Sequence, residues 1–194
     1  MNRRLQVQIG AGVVLLGLLV WGVNRGLERL VSLRTSPQQA GGAASGPAPG
    51  VPRITATLFY GSADGQALVP VRREVALAEG VVPQAREILL AQLQAAASPY
   101  VSVIPAGTTL RAFYVTERGD AFVDLSAEAQ SGHAGGSATE LLTVYAIVNA
   151  VTANLPSIQR VQILIDGREA DTLAGHVDLR RPLQPDQSLV RNEG

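Results

Sequence analysis

Residues Ile9 to Val23, IGAGVVLLGLLVWGV, run without a single charge between Arg3 and Arg4 on one side and Arg25 on the other. This stretch limits the chain more than any other. Counted from Leu5, and admitting Gln6 and Gln8, the segment to Val23 would reach roughly 28 Å as a helix, against about 30 Å of bilayer hydrocarbon. Trp21 falls near one end, where an indole suits the lipid–water boundary. The expectation is a membrane-spanning helix over about residues 5–23 that contacts lipid, within an N-terminal anchor over residues 1–34. A cleaved signal peptide would also begin with basic residues and an apolar stretch. It requires small residues at the cleavage site, and WGVNRGLERL offers no such triplet. With no cysteine in the sequence, attachment through a lipidated cysteine is not open to this chain.

Charge divides the chain in two. Residues 1–53 hold six Arg and one Glu, net +5, and residues 54–194 hold ten Arg against fifteen Asp and Glu, net −5. A basic juxtamembrane stretch suits an anionic lipid surface. A net-acidic domain argues against nucleic acid as a partner, because nucleic-acid binding needs a basic footprint. Arginines flank the apolar run on both sides, so local charge alone leaves the orientation open.

Residues 35–53 are Gly-, Ala-, Ser-, Pro- and Gln-rich, with no charge before Arg53. Such a composition cannot bury enough apolar surface to order itself, and it is expected to be a flexible linker. Residues 54–191 are expected to form one domain. Ile54–Tyr60 and Ala67–Val75 read as strands around an Asp64-Gly65 turn, with Pro70 favouring an edge position. Val82–Ala97 has helical spacing. Leu110–Thr116 and Ala121–Leu125 alternate as a hairpin. Ser137-Ala-Thr-Glu140 reads as a capping box opening a helix that Pro156 stops after Asn154. Gln159–Ile165 is a strand, and Thr172–Leu173 and Ser188–Val190 are candidate edge strands. The β-β-α-β-β-α-β order predicts an α+β fold, with a mainly antiparallel sheet and two helices packed on one face.

The domain resembles the GerMN family of sporulation and spore germination proteins. The resemblance is carried by Leu68-Val-Pro70 with Arg73, by Ser102-Val-Ile-Pro105-Ala-Gly107-Thr108 and by Gly119-Asp-Ala-Phe-Val-Asp124-Leu-Ser126. It continues through Gly136 to Asn149, Val161 to Gly167, Gly175-His176, Asp178-Leu179 and Pro182-Leu183. It implies a bacterial, extracytoplasmic and non-enzymatic domain, and therefore a cytoplasmic N-terminus. Many members are lipoproteins, and the helix at residues 5–23 would replace their lipid.

Chemistry has few footholds. His133 lies in a glycine-rich loop and is expected to be solvated, whereas His176 is expected to make a structural hydrogen bond. Two His and no Cys do not supply a zinc set, so no metal or cofactor is expected. Ser126, Ser131 or Ser137 would be the nucleophile in any pairing with His133, but no G-x-S-x-G is present. Gly132-His-Ala-Gly135-Gly136 lacks phosphate-loop spacing and reads as a loop preceding the helix. Asp124 and Asp166 are expected in turn or capping roles. The second helix is apolar nearly all round, with Ala146, Ala150 and Ala153 as a small-residue stripe. It is either buried on several sides or offers a face to a partner.

Two readings follow. The first is a membrane-tethered, non-catalytic interaction module of the bacterial cell envelope, meeting another envelope protein, a copy of itself, or peptidoglycan. The second is an envelope hydrolase or small-ligand sensor with a pocket near His133 or His176. A concave pocket lined by His176 or His133 with convergent carboxylates would favour the second, and a flat sheet face with no pocket would favour the first.

Overall fold

The computed structural model describes residues 52–191. The expected membrane helix at residues 5–23, and the linker up to residue 51, lie outside the described residues. Among the described residues no helix is long and apolar enough to cross a membrane.

The chain opens with β1 (Arg53–Gly61) and β2 (Leu68–Ala76), an antiparallel pair whose register sets Phe59 opposite Pro70 and Gly61 opposite Leu68. Helix α1 (Val81–Gln92) follows, five residues shorter at its C-terminus than the spacing predicts. Strands β3 (Leu110–Val115) and β4 (Asp120–Leu125) make the expected hairpin. After the short α2 (Glu128–Ser131) comes α3 (Ser137–Asn154), then β5 (Arg160–Ile165) and the two-residue β6 (Arg168–Glu169).

The fold is α+β, but the single mainly antiparallel sheet is corrected. There are two sheets, β1-β2 and β3-β4-β5-β6. The second is mixed, because β5 lies parallel to β4, with Val123 beside Ile163. A parallel neighbour needs a crossover, and α3 is that crossover. The expectation of two helices on one face of one sheet is corrected too. Helix α1 packs against β1, β2 and β3, and α3 packs against β1, β5 and α1, so both helices touch both sheets.

That arrangement explains the composition of α3. Leu142, Ala146 and Ala150 pack against Phe59 and Leu68 of the first sheet. Val144, Ile147, Val148 and Val151 join Phe113, Val123, Val161 and Ile163 in the main core. The small-residue stripe at Ala146 and Ala150 is therefore buried, and only Ala153 is exposed. Of the two expectations for this helix, burial on several sides holds. Leu155 closes it with extended backbone, as the residue before Pro156 must.

The local turn chemistry is as expected at Asp166-Gly167, where both residues have positive φ, as a two-residue hairpin between β5 and β6 requires. That hairpin and β6 were not anticipated. The candidate edge strands are corrected. Thr172–Leu173 is not a strand, and Gln187–Leu189 is a 3-10 turn followed by a single bridge from Val190 to Leu68.

The first sheet is tied to the helices by side-chain amides. Gln92 accepts from Phe59 N–H at 2.9 Å and donates to Phe59 C=O at 2.7 Å. Asn154 does the same for Thr57, at 2.8 and 2.7 Å. Gln92→Leu keeps the volume but strands two buried backbone groups. It should destabilise the domain by about 2–6 kcal/mol in denaturant titration, at one to three per unsatisfied group. Ala150→Glu places a charge against Phe59 and Leu68. It should cost about 4 kcal/mol or more and abolish the cooperative transition, rather than merely weaken an assembly.

Candidate functional site

Both histidines are held by α3, but in different ways. Glu140, in the first turn of α3, is fully buried and turns its carboxylate away from its own helix. Oε1 accepts from the N–H groups of Leu173 and Ala174, both at 2.9 Å. Oε2 accepts from His176 N–H at 2.8 Å and from His176 Nδ1 at 3.0 Å. The capping box is therefore corrected. The cap residue is Gly136, not Ser137, and Glu140 does not reach back to it. Gly135 and Gly136 both adopt positive φ, so the chain enters the helix one residue early and frees the carboxylate for the 173–176 loop.

Two opposing influences act on this carboxyl. Burial pushes its pKa up, while backbone donors at Ala174, Val177 and His176 and the His176 ring bring it down. The balance lies below the ordinary value of 4.5. His176 makes the structural hydrogen bond expected of it. Its Nδ1 carries the hydrogen given to Glu140, and its ring is otherwise about half exposed.

His133 is corrected from a solvated side chain to a half-buried one. Gly135 N–H donates to Nδ1 at 3.0 Å, so that nitrogen carries no proton. Nε2 lies 3.2 Å from Thr143 Oγ1, which in turn donates to Val103 C=O and Thr139 C=O. Nδ1 thus closes the 132–136 loop on itself, while Nε2 ties it to Thr143 of α3 and through that hydroxyl to the backbone at Val103.

Beside His133 is a cleft of about 600 Å³, walled by the 93–107 loop on one side and residues 132–134 on the other. Tyr60, Leu93, Val101, Ile104 and Leu142 supply apolar surface. No Asp, Glu, Lys or Arg lines it. Gly61 abuts this loop so closely that a Cβ there would stand 2.6 Å from a Val101 methyl. Gln94, Ser102, His133 and Thr139 add polar groups to the lining of the cleft.

The remaining candidates are dispersed. Ser126 accepts from Thr109 N–H, and Ser131 and Ser137 are exposed. None of the three is hydrogen-bonded to His133 among the described residues. Asp124 and Asp166 do meet, through a residue the sequence reading passed over. Arg111 reaches Asp124 at 3.3 Å and Asp166 at 3.2 Å. Asp124 also accepts from Gly167 N–H at 2.7 Å, which is the turn role expected of it. A register shift in β3 between Leu110 and Ala112 aims Arg111 across the sheet, and alternation alone gave no sign of it. Among the described residues no group of three or more His, Cys, Asp or Glu is placed to hold a metal.

Comparison with known proteins places this geometry. A family model described as "Germane: Sporulation and spore germination" matches residues 57–171, more than half of the chain. The tandem GerMN domains of the sporulation protein GerM from Bacillus subtilis align with 18% identity and a TM-score of 0.51, over 70% of this chain and 46% of that one. The first GerMN domain of the same protein aligns with 18% identity and a TM-score of 0.51, over 68% and 97%. A protein from Clostridium perfringens described as a candidate lipoprotein aligns with 24% identity and a TM-score of 0.51, over 70% and 89%. No curated protein sequence matches.

Glu140 has a pKa lower in the folded than in the unfolded chain. Its contribution to stability is complete above the ordinary Glu value and is lost as pH falls through the folded one. The denaturant midpoint should therefore drop as pH is taken below 4.5. Glu140→Gln should be less stable at pH 7 and should lose this part of the acid dependence. An unchanged acid limb in the variant would assign the effect elsewhere.

Proposed function

The chain belongs to the Germane family of sporulation and spore germination, and on that basis we propose that it is a non-catalytic interaction module of the bacterial cell envelope. In this reading, residues 5–23 anchor it in the cytoplasmic membrane as a single span. The N-terminus is cytoplasmic, and the linker carries the domain outside. The domain then assembles with itself or with an envelope or sporulation complex. The uncharged run at residues 9–23 and the split of basic anchor from acidic domain support the tether.

The observation that most supports a non-catalytic role is the use made of the histidines. His133 has both ring nitrogens engaged in fastening a loop, and His176 serves a buried carboxylate. A general base needs a lone pair free to take a proton from a bound substrate; neither nitrogen of His133 offers one, and His176, whose Nε2 keeps its lone pair, does not line the cleft. The cleft beside His133 is lined by no Asp, Glu, Lys or Arg that could complete such a pair.

Alkaline phosphatase fused at the C-terminus should be active, and a fluorescent protein that folds only in the cytoplasm should stay dark. The opposite pattern would refute the topology. His133→Ala and His176→Ala should leave cellular function intact wherever the domain still folds. Loss of function in a folded histidine variant would point instead to chemistry at that ring.

A further inference from the structure

Two sheets present four lateral edges, and among the described residues three of them carry a device that stops a further strand from adding. On β1 the outward backbone groups of Thr57 and Phe59 are taken by Asn154 and Gln92, and those of Gly61 by Val101. On β2 Pro70 removes a donor, Val190 bridges Leu68, and Gln84 donates to Ala76 C=O. At the far side of the second sheet the edge strand β6 is only two charged residues long, and beyond it Leu183 exchanges both backbone hydrogen bonds with Val161 of β5. Edges left open invite pairing, and these three are closed in the ways that natural sheets close them.

The fourth edge, β3, has no such device. Thr116 N–H donates to Asp120 C=O, and Tyr114 lies opposite Phe122 in the same ladder. Antiparallel alternation then directs the N–H and C=O groups of Phe113 and Val115 away from β4. No described residue bonds to them. Tyr114, on the open face, is 58% exposed, more than any other large hydrophobic residue described. The strand has no Pro, and its one charge, Arg111, is drawn inward to Asp124 and Asp166.

We propose that this edge pairs with β3 of a second copy, antiparallel about a dyad at Tyr114, so that the two four-stranded sheets join. The segment is self-complementary in that register. Phe113 faces Val115 of the other copy, and Val115 faces Phe113, which completes both donors and both acceptors on each side. These are aromatic–β-branched pairs, and the two Tyr114 rings form an aromatic pair on the open face. No charged residue of β3 faces the joint, because Arg111 is drawn to Asp124 and Asp166. A dyad-related strand pair is an isologous contact, which closes as a dimer. The inference rests on the interaction-module reading and names a second copy as the partner.

The absence of cysteine makes the test direct. In the full chain in its membrane, Tyr114→Cys places two thiols at facing positions about 4.5 Å apart at Cα, within disulfide range. Mild oxidation should give covalent homodimer at least about tenfold faster than for Leu90→Cys, an exposed control on α1. A second arm leaves Tyr114 intact. Copies carrying Ala112→Cys, mixed with copies carrying Thr116→Cys, should crosslink to each other faster than either does to itself. Equal rates for Tyr114→Cys and Leu90→Cys, with no preference in the mixed pair, would overturn the proposal. So would capture by Tyr114→Cys of a different protein in place of its own copy, an outcome that refutes self-pairing and leaves the interaction module standing.

Discussion

Helix α3 is buried on several sides, and its few polar side chains are what locate it. An amphipathic helix finds its rotation by turning one apolar face inward. Leu142, Ala146 and Ala150 face one sheet while Val144, Ile147 and Val151 face the other core, so apolar burial alone distinguishes little. Rotation and axial position are set instead by Glu140, Thr143, Asn149 and Asn154. Each reaches the backbone of a different segment, at residues 173–176, 103, 186 and 57. A slip of one residue would leave all four partners unsatisfied, at a cost in each case that apolar contact does not offset.

Glu140 has the most consequence among them. A lone buried carboxylate would be expelled or protonated, but this one is ringed by backbone N–H donors and the His176 ring. The loop it gathers carries Leu173, Val177 and Leu179 into the main core. The irregular 170–183 stretch, without regular secondary structure of its own, is thus held at one end by an acidic side chain and at the other by the backbone exchange of Leu183 with Val161. Thr143 plays a parallel part at the other end of the site by joining His133 to Val103, and so holds both walls of the uncharged cleft.

The same amide chemistry governs where the domain can associate. Gln92 and Asn154 imitate a neighbouring strand along β1, each offering one donor and one acceptor to a residue whose backbone faces outward. A pairing edge is thereby consumed inside the molecule. With β2 and the far side of the second sheet also closed, the burden of any sheet-mediated contact falls on β3, where the sequence Phe113-Tyr114-Val115 has high strand propensity and little charge.

Much of the architecture was legible in the residues. The order of strands and helices, the Asp166-Gly167 turn and the end of the second helix before Pro156 follow from local periodicity and backbone chemistry. So does the family, because its motifs are stretches of contiguous residues. The absence of cysteine, the uncharged run at residues 9–23 and the reversal of charge along the chain are likewise properties of the sequence alone. Other features depended on what lies far along the chain. Ser137 and Glu140 have the spacing of a capping box, yet Glu140 serves residues 173–176. His133 sits in a glycine-rich loop, yet Thr143 and Gly135 engage both its nitrogens. Arg111 joins Asp124 to Asp166 only because β3 carries a register shift. The parallel pairing of β4 with β5 is decided by how α3 crosses between them. Local signals report backbone preference and which faces are apolar. Partners separated by tens of residues are chosen by the requirement that every buried donor and acceptor be satisfied, and only the assembled tertiary structure meets that requirement.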